Sequence, residues 1–183
     1  MPAFVLIDSM PSSSPASRPC RAQGFTLIEM IFTVVILAIL ISLAAPSFSE
    51  LVRDQRVKTA VGDVHAALIY ARSEAIKRNA NVDVVPVDAS NWASGWQITT
   101  INPAPPPAAL ILKTQDPLSG LAIAGPAGTL SFRGDGRLTV AANVSFDAQS
   151  SESASTTVRC VRLDVSGRPN IKVDTDKSTA GCQ

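Results

Sequence analysis

Residues 25–45 form a run of apolar positions interrupted by one charge, Glu29. At about 1.5 Å per helical residue the run reaches roughly 30 Å, enough to cross a bilayer core. From residue 47 to about 79 the pattern becomes amphipathic. Phe48, Leu51, Val52, Val61, Val64, Leu68, Ala71, Ala75 and Ile76 recur at helix-like intervals, with charged residues between them. Lys77 and Arg78 suit a helix C-terminus, and Asn79 is a natural stop. Pro46 stands between the two patterns, where it removes one helical hydrogen bond and bends the axis. The pattern predicts one long helix over 25–78, kinked at Pro46.

Beyond residue 79 the helical period ends. Short alternating runs predict strands at 82–87, 95–101, 110–113, 121–124, 129–132, 137–140, 144–147, 158–165 and 170–173. Trp92 and Trp96 are the large anchors of this region. Residues 102–107 are proline-rich and unsuited to a sheet interior. Gly134-Asp135-Gly136 reads as a hairpin turn, Ser166-Gly167-Arg168-Pro169 as a second turn, and 149–156 as a polar loop. The fold class expected is α+β, with one long N-terminal helix packed on a mostly antiparallel β-sheet.

Charge adds little to this picture. The chain has 16 Lys+Arg against 15 Asp+Glu, so nucleic acid or anionic lipid would need a local patch. Residues 1–24 are rich in serine and proline, with Arg18 and Arg21 near the end. An ordinary secretory signal is cut after its apolar core; here the basic segment directly precedes the apolar run. A cut at Gly24 would keep the run in the mature protein, and the arginines would hold its N-terminal end in the cytoplasm. The expected organisation is a leader over 1–24, a transmembrane half-helix over 25–45, an amphipathic half-helix over 46–79 and a β-rich domain over 80–183. Loss of the leader would remove Cys20 and leave Cys160 and Cys182. An even pair in an exported domain reads as a disulfide, two unrelated thiols being the alternative.

The residues that head the apolar run are Gly24-Phe25-Thr26-Leu27-Ile28-Glu29. They resemble the processing site of type IV pilins and type II secretion pseudopilins. The resemblance implies cleavage by a prepilin peptidase between Gly24 and Phe25, N-methylation of Phe25, and a structural role for Glu29 and Pro46 in assembly. A carboxylate in a membrane helix costs about 2.5–3.5 kcal/mol on insertion scales. The new ammonium of Phe25 on a neighbouring subunit would offset that cost and set the axial register. Further along, Ala71–Asn79, the Trp92…Gly95-Trp96 segment, Thr129-Leu130-Ser131-Phe132 with Gly136, and Val161–Arg168 are similar to the GspH/FimT branch, which includes FimU.

The branch implies a type IV pilin-like fold, single-pass inner-membrane insertion with a periplasmic C-terminal domain, and a place in a pilus or pseudopilus that the subunit initiates or caps. The implied partners are other pilins or pseudopilins, the prepilin peptidase and the assembly platform. FimT-like members are tied to DNA uptake through a Gly-Arg-x-Arg motif. Gly167-Arg168-Pro169-Asn170 matches it without the second arginine, with Lys172 close by. The alternative function, a DNA-binding pilin for transformation, would therefore rest on Arg162, Arg168 and Lys172, set by strand alternation on a surface away from acids. The Cys160–Cys182 pair would bracket and stiffen this turn.

Enzyme chemistry has no visible basis in the chain. His65 is the single histidine and suits a surface or interface position. Phosphate-loop, HExxH and Cys-x-x-Cys patterns are missing, so no cofactor or metal is expected. Arg133-Gly134-Asp135 spells an adhesion tripeptide, but the turn accounts for it.

Overall fold

The computed structural model describes residues 24–102, 105, 107–152 and 157–174. The leader apart from Gly24, and Cys20 and Cys182, lie outside the described residues. Two compact units divide the chain between Ser42 and Leu43. Helix α1, Leu27–Arg78, contributes to both.

In the first unit, residues 24–42 are exposed throughout. Among the described residues, this is the one helix with a stretch apolar enough and long enough to cross a membrane. The helix starts at Leu27 because Thr26 caps it: the Glu29 N–H donates to Thr26 Oγ1 at 3.2 Å, and Met30 N–H to the Thr26 carbonyl at 3.1 Å. Thr33 and Ser42 return their hydroxyls to the carbonyls of Met30 and Ile39, which hides polar groups within the apolar stretch.

The second unit holds the core. Val57, Ala60, Val61, Val64, Ala67, Leu68, Ala71 and Ala75 form the buried stripe of α1. Burial begins later than the sequence period suggests, with Phe48 and Leu51 exposed, and it ends before Ile76, which is exposed as well. The helix ends in a Schellman motif, with Ala80 N–H on the Ala75 carbonyl, Asn79 N–H on that of Ile76, and Asn79 at φ 47°. Near this end the Glu74 carboxylate, 8% exposed, accepts from Arg78 Nε at 2.8 Å and Lys77 Nζ at 3.3 Å. The Arg78 hydrogen bond, helped by Lys77, holds this carboxyl below its ordinary pKa against the opposing effect of burial.

Among the described residues eight strands follow: β1 Val82–Pro86, β2 Trp96–Asn102, β3 Ala108–Gln115, β4 Leu121–Ala124, β5 Leu130–Phe132, β6 Val144–Ser150, β7 Arg159–Leu163 and β8 Pro169–Val173. They form two four-stranded antiparallel sheets rather than the single sheet expected. Sheet A has the order β3-β2-β1-β5 and sheet B the order β4-β6-β7-β8. The expected strand at 137–140 is reduced to a bridge between Phe132 and Leu138. The polar residues expected to open a loop at 149 continue β6 to Ser150, because Ser150 and Gln149 pair with Leu121 and Ala122. Both sheets bury alternate residues: Val82, Val84, Ile98, Leu130 and Phe132 from A, Ile123, Phe146, Val161 and Leu163 from B. Trp92, in a 3₁₀ turn, meets Phe146 edge to face at 4.8 Å and donates its indole N–H to the Pro126 carbonyl.

Candidate functional site

The sequence singles out two places, the head of α1 and the β7–β8 turn. At the head, Gly24 and Phe25 precede the helix and are exposed, Phe25 by 81%. A Cβ built on Gly24 meets nothing within 4 Å, so the fold makes no demand for glycine there. Glu29 lies in the first turn of α1, where a carboxylate complements the helix dipole. Thr26 and Glu29 have the Thr-x-x-Glu spacing of a capping box, a signal legible in the sequence that the motif reading passed over. Among the described residues the Glu29 side chain has no ion-pair partner. Pro46 sits inside α1, with its carbonyl receiving the Ser49 hydroxyl at 2.8 Å.

The β7–β8 turn is built by side chain and backbone together. Asp164 Oδ1 accepts the Ser166 hydroxyl at 2.6 Å and the Arg168 N–H at 3.1 Å, and the Gly167 N–H returns to the Asp164 carbonyl at 2.9 Å. The Ser166 hydroxyl, followed by the Arg168 N–H, keeps the Asp164 carboxyl below its ordinary pKa. Gly167 has φ 76°, and a Cβ there would collide with the Gly136 carbonyl oxygen, so only glycine fits. That carbonyl also accepts Arg72 Nε of α1 at 3.0 Å. Helix, Gly134–Gly136 turn and β7–β8 turn are thus locked in one stack.

Arg162 and Arg168 line one open cleft of about 370 Å³ with Ser145 and Asn170. Asp164 lines the same cleft, and Asp147 on the neighbouring strand acts electrostatically with Arg162. The surface free of acids that the DNA reading requires is not formed. Lys172 stands apart from the cleft, in register with Cys160, which is itself in register with Asp147. Cys160 is fully buried. Sequence reading missed Asp147: its Oδ1 is buried without a hydrogen-bond partner, and burial pushes its carboxyl above the ordinary range. Among the described residues no group of three metal-ligating side chains occurs, and His65 lies half-buried on α1.

Comparison with known proteins gives this arrangement its family. The family described as type II transport protein GspH matches residues 60–167, and the prokaryotic N-terminal methylation motif matches residues 20–45. Among solved structures, the type IV minor pilin FimU of Pseudomonas aeruginosa is similar at 19% identity and a TM-score of 0.57, over 68% of this chain and 96% of that one. The minor pseudopilin EpsH of the Vibrio cholerae type 2 secretion system is similar at 14% identity and a TM-score of 0.53, over 66% of this chain and 99% of that one. At such identities the likeness speaks for a shared fold. No curated protein sequence matches significantly. The GspH match extends over more than half of the chain, beside a methylation motif and a pilin fold, and the chain belongs to the GspH family of minor pilins and pseudopilins.

Proposed function

We propose that this chain is a structural subunit that initiates or caps a type IV pilus or type II pseudopilus, and is not an enzyme. In this reading a prepilin peptidase cuts between Gly24 and Phe25, Phe25 is methylated, residues 25–45 insert in the inner membrane, and the domain from residue 80 on stands in the periplasm. The observation that carries it is the head of α1. An exposed Gly24 that the fold does not need points to recognition by another molecule. An unpartnered Glu29 in an apolar helix points to a cation from a neighbouring subunit, and the ammonium of a cleaved Phe25 supplies one. The Cys160–Cys182 disulfide belongs to the same reading, as a brace for the C-terminal segment. The DNA reading is set aside, since Asp164 shares the cleft of Arg162 and Arg168.

The test has two parts. Mass spectrometry of the membrane form should find the N-terminus at methylated Phe25. Glu29→Ala should insert normally, or more readily, yet be depleted from sheared filaments, because it loses the register partner but not the anchor. Normal incorporation of Glu29→Ala would remove the assembly role, and an uncut chain beside an active peptidase would remove the processing step.

A further inference from the structure

Sheet B buries side chains on both of its faces. Phe146, Ala148, Val161 and Leu163 belong to the core that α1 closes. Alternation sends Asp147, Cys160, Lys172 and Asp174 to the other face, where Asp147 pairs with Cys160 and Cys160 with Lys172. Much of that outer face is wet, since Ser145, Gln149, Asn170 and Lys172 are exposed. In its midst Cys160 is fully buried, Asp174 is 6% exposed, and the Asp147 Oδ1 is buried without a hydrogen-bond partner. The change at Asp174 is abrupt: residues 170–173 are exposed, and the next residue, whose N–H continues the ladder to the Val158 carbonyl at 3.0 Å, is not. Neighbours in the sheet shade a cysteine from the sides, so complete burial of Cys160 needs a cover from above.

The chain continues from Asp174, itself part of this patch, into residues 175–183. We infer that residues 175–183 turn back over the outer face of sheet B as a strap that closes on Cys160 and Asp147, and that loss of the Asp147 proton loosens it. The inference deepens the reading above, whose Cys160–Cys182 disulfide would clamp the strap. A disulfide holds its Cα atoms about 4.4–6.8 Å apart. Asp174 lies one strand and two residues from Cys160, roughly 8 Å away. Residues 175–182 would span about 26 Å if extended. Clamped at Cys182, most of that length has to fold onto the face rather than cross it. The charges around Asp147 set the sign of the proton step. Burial disfavours its anion most, Arg162 on β7 favours it, and Asp174 after β8 opposes it. Lys172 stands on the same face beyond Cys160, and β4 brings the uncharged Ala124 alongside. The strap carries Asp176 and Lys177, one of each sign. Ionisation of a buried oxygen without a donor favours the open strap, where water reaches it. Closure is therefore complete below the unfolded pKa and is lost as pH rises through the folded one.

The test uses the full chain in detergent with Cys20→Ser and Cys182→Ser, which leaves Cys160 as its single thiol. Reaction with dithiodipyridine, taken relative to the same chain in denaturant, reads closure at each pH without the clamp. Cys160 should be protected in acid and become at least about tenfold more reactive on passing to neutral pH. Asp147→Asn should stay protected throughout. Ending the chain after Asp174 should expose Cys160 at every pH. So should a glycine–serine linker in place of residues 175–181, which serves if the shortened chain does not fold. Protection that survives loss of the strap means that another surface covers Cys160, and overturns the inference. An equal pH response with and without Asp147→Asn overturns the proton step. Recovery of Cys160 and Cys182 as thiols from the otherwise unaltered chain would end the disulfide of the reading above without touching the strap, which the single-thiol chain reads directly.

Discussion

The two stretches of α1 are both rich in apolar residues, yet they meet opposite fates. In residues 27–45 the apolar positions surround the helix, and none is buried within the subunit. In residues 57–75 they keep to a stripe, and two sheets cover it. Periodicity, more than hydrophobic content, tells a helix which solvent it will have. A stripe can be matched by one domain of the same chain. A helix apolar on all sides needs lipid or other helices on all sides, which this chain by itself does not supply.

Four experiments would sharpen or break that contrast. The largest effect is expected from paired leucines on the one helix. Leu68, 1% exposed, should cost about 2–5 kcal/mol on truncation to alanine, measured by denaturant unfolding of the detergent-solubilised chain. Leu40→Ala, at a position 58% exposed, should leave that transition within about 0.5 kcal/mol. An equal loss from both would mean that the halves form one cooperative unit.

Next in size is the proposed Cys160–Cys182 bond. Non-reducing peptide mapping should recover the two cysteines joined, and reduction should destabilise the β domain by about 3 kcal/mol in the chain-entropy picture without affecting membrane insertion. Recovery of both as thiols from periplasm-exposed protein would end this proposal.

Two glycines make the third comparison, between a demand inside the fold and one outside it. Gly167→Ala forces a side chain onto the Gly136 carbonyl at φ 76°, and should lower stability by about 1–3 kcal/mol. Gly24→Ala meets open space and should leave unfolding unchanged, while slowing cleavage as read by the ratio of uncut to cut chain on immunoblots. Efficient processing of Gly24→Ala would separate the glycine from peptidase recognition.

The smallest effect concerns two carboxyl groups whose pKa values move in opposite directions. Burial raises the Asp147 pKa, so the native state holds its proton more tightly than the unfolded chain does. Its contribution is most favourable below the unfolded pKa and is lost as pH rises through the folded one. Asp147→Asn should therefore gain stability at neutral pH relative to the parent, with the gain shrinking as the medium is acidified. Glu74 behaves in reverse. Arg78 and Lys77 lower its pKa, so its contribution is present above the unfolded pKa and is lost as pH falls through the folded one. Unfolding midpoints of Asp147→Asn and Glu74→Gln across an acid-to-neutral series should diverge in these directions; parallel curves would refute the assignment.

Local signals were the readable ones. The apolar run, the Gly24–Glu29 head and the helix stop at Asn79 depend on residues within a few positions of one another, and β4 falls at the predicted 121–124. Misread segments all depended on distant partners. Residues 137–140 have strand-like composition but find only one bridge, while Gln149 and Ser150 lie in a polar stretch yet extend β6 because β4 lies alongside. Alternation along β7 placed Arg162 on one face, but whether acids shared that face depended on Asp147 from the adjacent strand and on the side-chain bonds of Asp164.

By itself the sequence determined that this protein has an apolar helix headed by the Gly24–Glu29 motif, an amphipathic continuation, and a strand-rich domain with tight turns. Those features follow from periodicity, capping and turn chemistry, which act over a few residues. Only the tertiary structure decided that the strands divide into two sheets, that β1 joins β5 from almost fifty residues away, and that Glu74 and Asp147 lose most of their water. It also decided that, among the described residues, β3 pairs with β2 alone. A strand carries the same alternation whether its neighbour is near or far, paired or absent, so only the assembled ladders could tell these cases apart.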